Sequence, residues 1–370
     1  MKKYLLITSL CLLGTSFLWG QSTWTGLGAD DFWNTSGNWS PGTPGFNETA
    51  IFNGSAIPVD VNGVSKVGVS LDFQTAGWTI SDIPGTGNLR IDGGISPYDI
   101  NSVGSGVNTI AAKLTTTGSA TISYNIGANN TLVLSGDNSL KKTSTITGSG
   151  TLVYNGPDQS PSYNQDYVMS GDVTILANNQ IALGKSATFG NGTLGGTGRI
   201  GMLDGGSDYT FENSTIAPGG NGTFGAEIES LDFGLAGGQA GSILFGDNST
   251  LAIQLGTTLG SNDLMTYESQ RGNEGVKITG TNTTLALFGT TVEAGTYEIF
   301  TIFASAGGSD LEGTFDTVTF NGVAVDPSDI TVTYAADSIN VNVLTAIPEP
   351  GSLILLGFAG LALVIFRRRK

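Results

Sequence analysis

Short runs in which every second residue is apolar recur along this chain, each closed by Gly, Asn or Asp. ITVTY at 330–334 puts Ile330, Val332 and Tyr334 on one face, and INVNV at 339–343 does the same with Ile339, Val341 and Val343, leaving Thr and Asn on the other. Further runs are ATIS at 120–123, TLVL at 131–134, TLVY at 151–154, VTIL at 173–176, SILF at 242–245, TLAIQL at 250–255, TLALF at 284–288 and YEIFTIF at 297–303. No stretch between Gln21 and Ala346 has the period of an amphipathic helix of three turns. Glycine, at 56 of 370 residues, adds to the case, because it costs about 1 kcal/mol at each interior helical position. The pattern predicts an all-β chain.

Small words recur without a strict period: SGDNSL at 135–140 answers FGDNSTL at 245–251, and GNGTLG at 190–195 answers GNGTFG at 220–225. Strand-plus-turn units that cannot bury an apolar face alone, and so must stack on their neighbours, predict a right-handed parallel β-solenoid. A β-sandwich is the competing architecture. The expected layout is a solenoid repeat region over 21–255 and a β-rich solenoid end over 256–346, between two terminal address segments.

The first address covers residues 1–20. Lys2 and Lys3 precede a mostly apolar run from Tyr4 to Trp19, and small residues follow at Gly20 and Ser22, the three parts of a secretory signal. This predicts a signal helix and a mature chain starting near Gln21. The second covers 347–370. Its run LILLGFAGLALVIF at 353–366 would extend about 21 Å as a helix, short of a hydrocarbon core of about 30 Å, with Gly351 and Ser352 to lengthen it and Arg367, Arg368, Arg369 and Lys370 to snorkel. It predicts a transmembrane helix that keeps the basic cluster in the cytoplasm and the rest outside. Just upstream, Pro348-Glu349-Pro350 can continue neither a helix nor a sheet ladder, so it reads as an exposed, extended hinge.

Pro348-Glu349-Pro350, the apolar run and Arg367-Arg368-Arg369, in that order, resemble the PEP-CTERM sorting signal of Gram-negative bacteria. The resemblance implies processing near Pro348, Glu349 and Pro350 by the membrane enzyme exosortase. It also implies association with exopolysaccharide, biofilm or floc. A second resemblance covers Leu194 through Gly198 to Ala217-Pro218-Gly219-Gly220, then Ser261-Asn262-Asp263, Leu285-Ala286-Leu287 and Gly295 to Ile299. These segments look like the end of an autotransporter passenger, which implies a β-helix stalk.

Composition narrows the chemistry. There is no histidine, and the only cysteine, Cys11, lies in the leader, which removes disulfide frameworks, His- or Cys-based zinc sites, Ser/His/Asp triads and Cys/His dyads. The net charge is −16, and six of the bases (Lys2, Lys3, Arg367, Arg368, Arg369 and Lys370) lie in the address segments. Nucleic acid is thereby excluded as a partner, since phosphate contacts need cations.

Acid pairs at Asp30 and Asp31, Glu227 and Glu229, Glu293 and Glu298, and Asp326 and Asp329 are candidates for general acid and base work, but all sit where Asp and Glu serve turns. Asp137-Asn138, Asp247-Asn248 and Asn262-Asp263 offer oxygen ligands suited to calcium, the one cofactor this chemistry suggests; no metal is assigned. Trp24, Trp33 and Trp39 either stack on sugars or cap the open end of the solenoid core. The expectation is a non-enzymatic, exported surface or matrix protein with a structural or adhesive role, anchored in the inner membrane before processing. The alternative is a secreted carbohydrate-active β-helix, a polysaccharide lyase or glycoside hydrolase.

Overall fold

The computed structural model describes residues 20–347 apart from 64–68, 92–98, 116–120, 140–142, 157–165, 179–180, 184–185, 203–207, 220–227, 235–240, 270–274 and 305–310. The expected signal helix and transmembrane helix fall outside the described residues. Among those residues no helix is long and apolar enough to cross a membrane, and the only helical segment is a 3-10 turn at Ser36–Asn38.

The chain winds as a parallel β-solenoid. Coils contribute one strand to a first sheet, one to a second and, in most, one to a third among the described residues, and the next coil repeats the order, as in Ile122–Ile126, Asn130–Leu134 and Asn138–Ser139. Thirteen strands stack in the first sheet and twelve in the second; the third is split into sheets of three and seven strands. Neighbouring coils are offset by 24 residues where Asn125 meets Asn101, and by 34 where Thr281 meets Asp247. The longer coils add residues at corners and leave the strands in register. The sheets run unbroken across position 255, where Thr250–Gln254 pairs with Thr284–Phe288.

Alternation decides what faces inward. In the first sheet Tyr124, Ile146, Met169, Phe189, Phe211, Phe245 and Ile278 occupy one inner column, all buried. In the second, Leu132, Leu152, Ile175, Leu194, Ile216, Leu251 and Leu285 do so. One residue earlier on the same strands, facing out, lies an unbroken threonine column: Thr131, Thr151, Thr174, Thr193, Thr215, Thr250, Thr284 and Thr317. β-Branched threonine suits a pleated surface, and directly opposed pairs stabilise neighbouring strands by a few tenths of a kcal/mol to about 1 kcal/mol.

Corners between the first and second sheets need left-handed backbone, and asparagine supplies it at Asn129, Asn213, Asn248 and Asn282, with φ of 60°, 50°, 55° and 60°. The last three form a ladder: the Asn248 amide donates to Asn213 at 2.9 Å, and the Asn282 amide donates to Asn248 at 3.2 Å. The two similar words serve different corners, however. Residues 135–139 turn from the second sheet to the third, whereas 245–251 turn from the first to the second.

Antiparallel strands close both ends. At the start, Gln21–Trp24 pairs antiparallel with Trp39–Ser40 and parallel with Glu48–Phe52. At the finish, Ile330–Tyr334 and Ser338–Val343 form an antiparallel hairpin on the long strand Gly295–Ala304. Its alternation is as the sequence predicts: Ile330, Ile339, Val341 and Val343 are buried, and Val332 and Tyr334 pack against the core.

Candidate functional site

Trp24, Trp33 and Trp39 sit in the N-terminal cap, only 2%, 0% and 4% exposed. Trp24 and Trp39 are register partners whose rings meet edge to face at 4.9 Å, and Trp33 meets Trp39 at 4.7 Å. The Trp39 indole donates to the Trp33 carbonyl at 2.8 Å, and both rings pack near Phe52. Sugar stacking needs a free ring face, and these rings turn theirs to one another and to the core. They close the apolar column that the first coil would otherwise expose.

The acids have mostly local work. Asp30 accepts the Phe32 N–H at 3.1 Å, in a loop organised by buried Asn38, which accepts from Gly28 and donates to the Asp30 and Phe32 carbonyls. Asp137 pairs with Lys113 at 2.5 Å. Asp247 accepts both the N–H and the hydroxyl of Thr281 in the next coil, which lowers its pKa. Asn262 donates to the Glu298 carbonyl at 2.7 Å, and Glu293 accepts the Leu259 N–H at 3.4 Å. Glu227 lies outside the described residues. Tyrosine chemistry is also constrained: Tyr124, Tyr154 and Tyr167 are buried, and desolvation lifts all three, Tyr154 to about 12.

One acid has an environment that its sequence did not reveal. Asp263 is buried, and its carboxylate accepts N–H groups from Gln254 at 2.8 Å and Glu229 at 3.2 Å. Desolvation raises its pKa to about 7 against the pull of those bonds, with Glu229 adding repulsion. Asn262-Asp263 reads as an ordinary turn because burial depends on a coil 34 residues away.

Asp326 and Asp329 are brought together at the C-terminal cap. They rim a groove of about 340 Å³ whose apolar lining includes Phe320, Val323, Ile330 and Ile347. Asp326 accepts the Ser328 N–H at 2.9 Å, which holds its pKa down, and Asp329 accepts the Thr345 hydroxyl at 3.2 Å. Here the chain leaves the body. The Leu344 N–H donates to the Asp329 carbonyl at 2.8 Å, and Ile347 forms an antiparallel bridge to buried Val292, exchanging N–H···O bonds of 2.9 and 3.0 Å. Ile347 also packs on the core. The next residue, Pro348, has no N–H with which to extend a ladder.

Pro348, Glu349 and Pro350, and the basic cluster Arg367, Arg368 and Arg369, lie outside the described residues. No curated protein matches the chain. Residues 346–370 match the family model of the PEP-CTERM protein-sorting motif, so the chain carries an exosortase-directed export and sorting signal that starts within the solenoid's C-terminal cap.

Proposed function

We propose that this protein is a non-enzymatic structural or adhesive component of an exopolysaccharide-containing extracellular matrix. It crosses the inner membrane under its leader, is held there by the apolar run over 353–366, and reaches the cell surface or matrix after exosortase acts at Pro348-Glu349-Pro350. The observation that carries the reading is the sorting motif attached directly to a solenoid with both ends capped. Support also comes from the engagement of Asp30, Asp137, Asp247 and Asp263 in turns and coil-to-coil bonds, which suits a stiff rod more than a cleft with a free acid pair.

The test is to delete the gene in the native organism and compare matrix cohesion and polysaccharide retention, alongside turnover and co-sedimentation assays of the purified ectodomain with the organism's own polysaccharide. Loss of matrix cohesion and binding without turnover is the expected result. Depolymerisation of the polysaccharide by the ectodomain would replace the reading with a carbohydrate-active enzyme.

A further inference from the structure

Resting on the matrix reading, we propose that a pocket of about 370 Å³, where three successive coils leave the second sheet, binds a neutral sugar unit of the exopolysaccharide. Strand register builds it. Gln254 pairs with Phe288, and Asn321 follows Phe320, the partner of Leu287, so Gln254, Phe288 and Asn321 take corresponding places in successive coils. Phe288 is half-buried and packs on Ala217, Ala252 and Ala286, which gives the lining an apolar side that Ile228 extends.

The polar groups are placed and have bonding capacity to spare. Asn321 is clamped to Gly289, donating to its carbonyl at 2.8 Å and accepting its N–H at 3.2 Å, which fixes the amide and leaves it one hydrogen and one lone pair. Thr257 and Thr290 are exposed in the lining, and among the described residues neither hydroxyl has a partner. Asp263 ties two walls together: its carboxylate accepts the Gln254 N–H at 2.8 Å and, at 3.2 Å, the N–H of Glu229, next to Ile228.

Charge selects among sugars. None of the described residues lining the pocket is charged, in a chain of net charge −16. A carboxylated sugar would meet no cation in that lining and a repulsive field around it. A neutral pyranose matches the lining on both counts. Its C–H face suits Phe288 and Ile228, and its hydroxyls both donate to and accept from Asn321, Thr257 and Thr290. The volume is at the small end of ligand pockets, which run from about 300 to 1,000 Å³, and so fits a short unit of a chain.

The test uses the mature protein from its native host. D-glucose, D-galactose, D-mannose and D-glucuronate are the probes in ligand-observed NMR titrations, alongside co-sedimentation with the organism's own polysaccharide. At least one neutral hexose should bind, and glucuronate should not. Thr257→Val and Thr290→Val keep the side-chain volume at exposed positions and should each weaken hexose binding about three- to tenfold. Thr131→Val, several coils away on the same sheet, should bind as the wild type does. Absence of hexose binding, equal binding of glucuronate, or full affinity in both pocket variants overturns the proposal. So does self-association of the wild type that the two substitutions abolish, which would give the pocket to a second copy. Equal co-sedimentation of the wild type and both pocket variants overturns the pocket and leaves the matrix reading standing. A hexose held through Thr257 and Thr290 without co-sedimentation of the polysaccharide supports the pocket and overturns the matrix reading.

Discussion

The rings of Phe189 and Phe211 lie face to face in successive coils, with centroids 4.7 Å apart and planes within 4° of parallel. That separation is the spacing of paired strands, so in-register stacking of identical side chains follows from the coil geometry itself. Phe211 also reaches Phe245 at 6.0 Å and Phe233 at 6.2 Å, which makes it a junction between the first and third sheets. Phe211→Ala should lower stability by about 3–5 kcal/mol, and Phe211→Leu by distinctly less. Urea unfolding followed by circular dichroism measures both. Equal losses would show that the ring contacts, and not the filled volume, carry the contribution.

The asparagine ladder gives a second, smaller expectation. Asn248 combines a φ of 55° with amide bonds to Asn213 and Asn282. Asn248→Ala forfeits both and should cost about 1–3 kcal/mol, since the left-handed backbone alone costs a non-glycine residue about 1 kcal/mol. Asn248→Gly relieves the backbone and should recover part of the loss. Thermal melting of the two variants separates the contributions.

Strand type and facing were legible wherever a strand is locally amphipathic: Ile339, Val341 and Val343 point inward as their alternation predicts. The capping role of Trp24, Trp33 and Trp39 was one of two readings, because sequence does not reveal whether an aromatic face is covered. Coil register was not legible. Paired positions such as Tyr209 and Ile243 are far apart in sequence, and the variable corners between them carry no apolar signal. For the same reason SGDNSL and FGDNSTL looked equivalent although they turn different corners. The root of the sorting signal was hidden too, since Ile347 reads as the first residue of the tail until Val292 is seen opposite.

Asn108 occupies an inner position of the second sheet directly beside Leu132, fully buried. Its carbonyl oxygen accepts the Trp78 N–H at 3.1 Å, and its amide donates to the Ser102 hydroxyl at 3.1 Å and the Thr75 carbonyl at 3.2 Å. Ser102 in turn donates to Asn130 at 2.7 Å. Asn108→Leu would match the leucines of the following coils, yet it orphans the Trp78 N–H. A loss of about 1–3 kcal/mol is expected in place of a gain. Hydrogen exchange of the Trp78 amide should accelerate in this variant; unchanged exchange with unchanged stability would mean that water replaces the side chain.

Asp263 sets a pH dependence whose sign can be worked out. Its folded pKa is raised to about 7, whereas an unfolded aspartate titrates near 3.9. Between those values the folded chain holds a proton that the unfolded chain has released, so stability from this group is complete below about pH 4 and is lost as pH rises through about 7. The loss is on the order of 4 kcal/mol by about 1.4 kcal/mol per unit. Asp263→Asn keeps an oxygen for one of the two backbone N–H groups but cannot titrate, so the readout is the slope more than the absolute stability. Melting temperatures of wild type and variant from pH 4 to pH 8 should diverge, with the wild type falling relative to Asp263→Asn as pH rises. Parallel curves would mean that the N–H groups of Gln254 and Glu229 stabilise the charged carboxylate enough to cancel its desolvation.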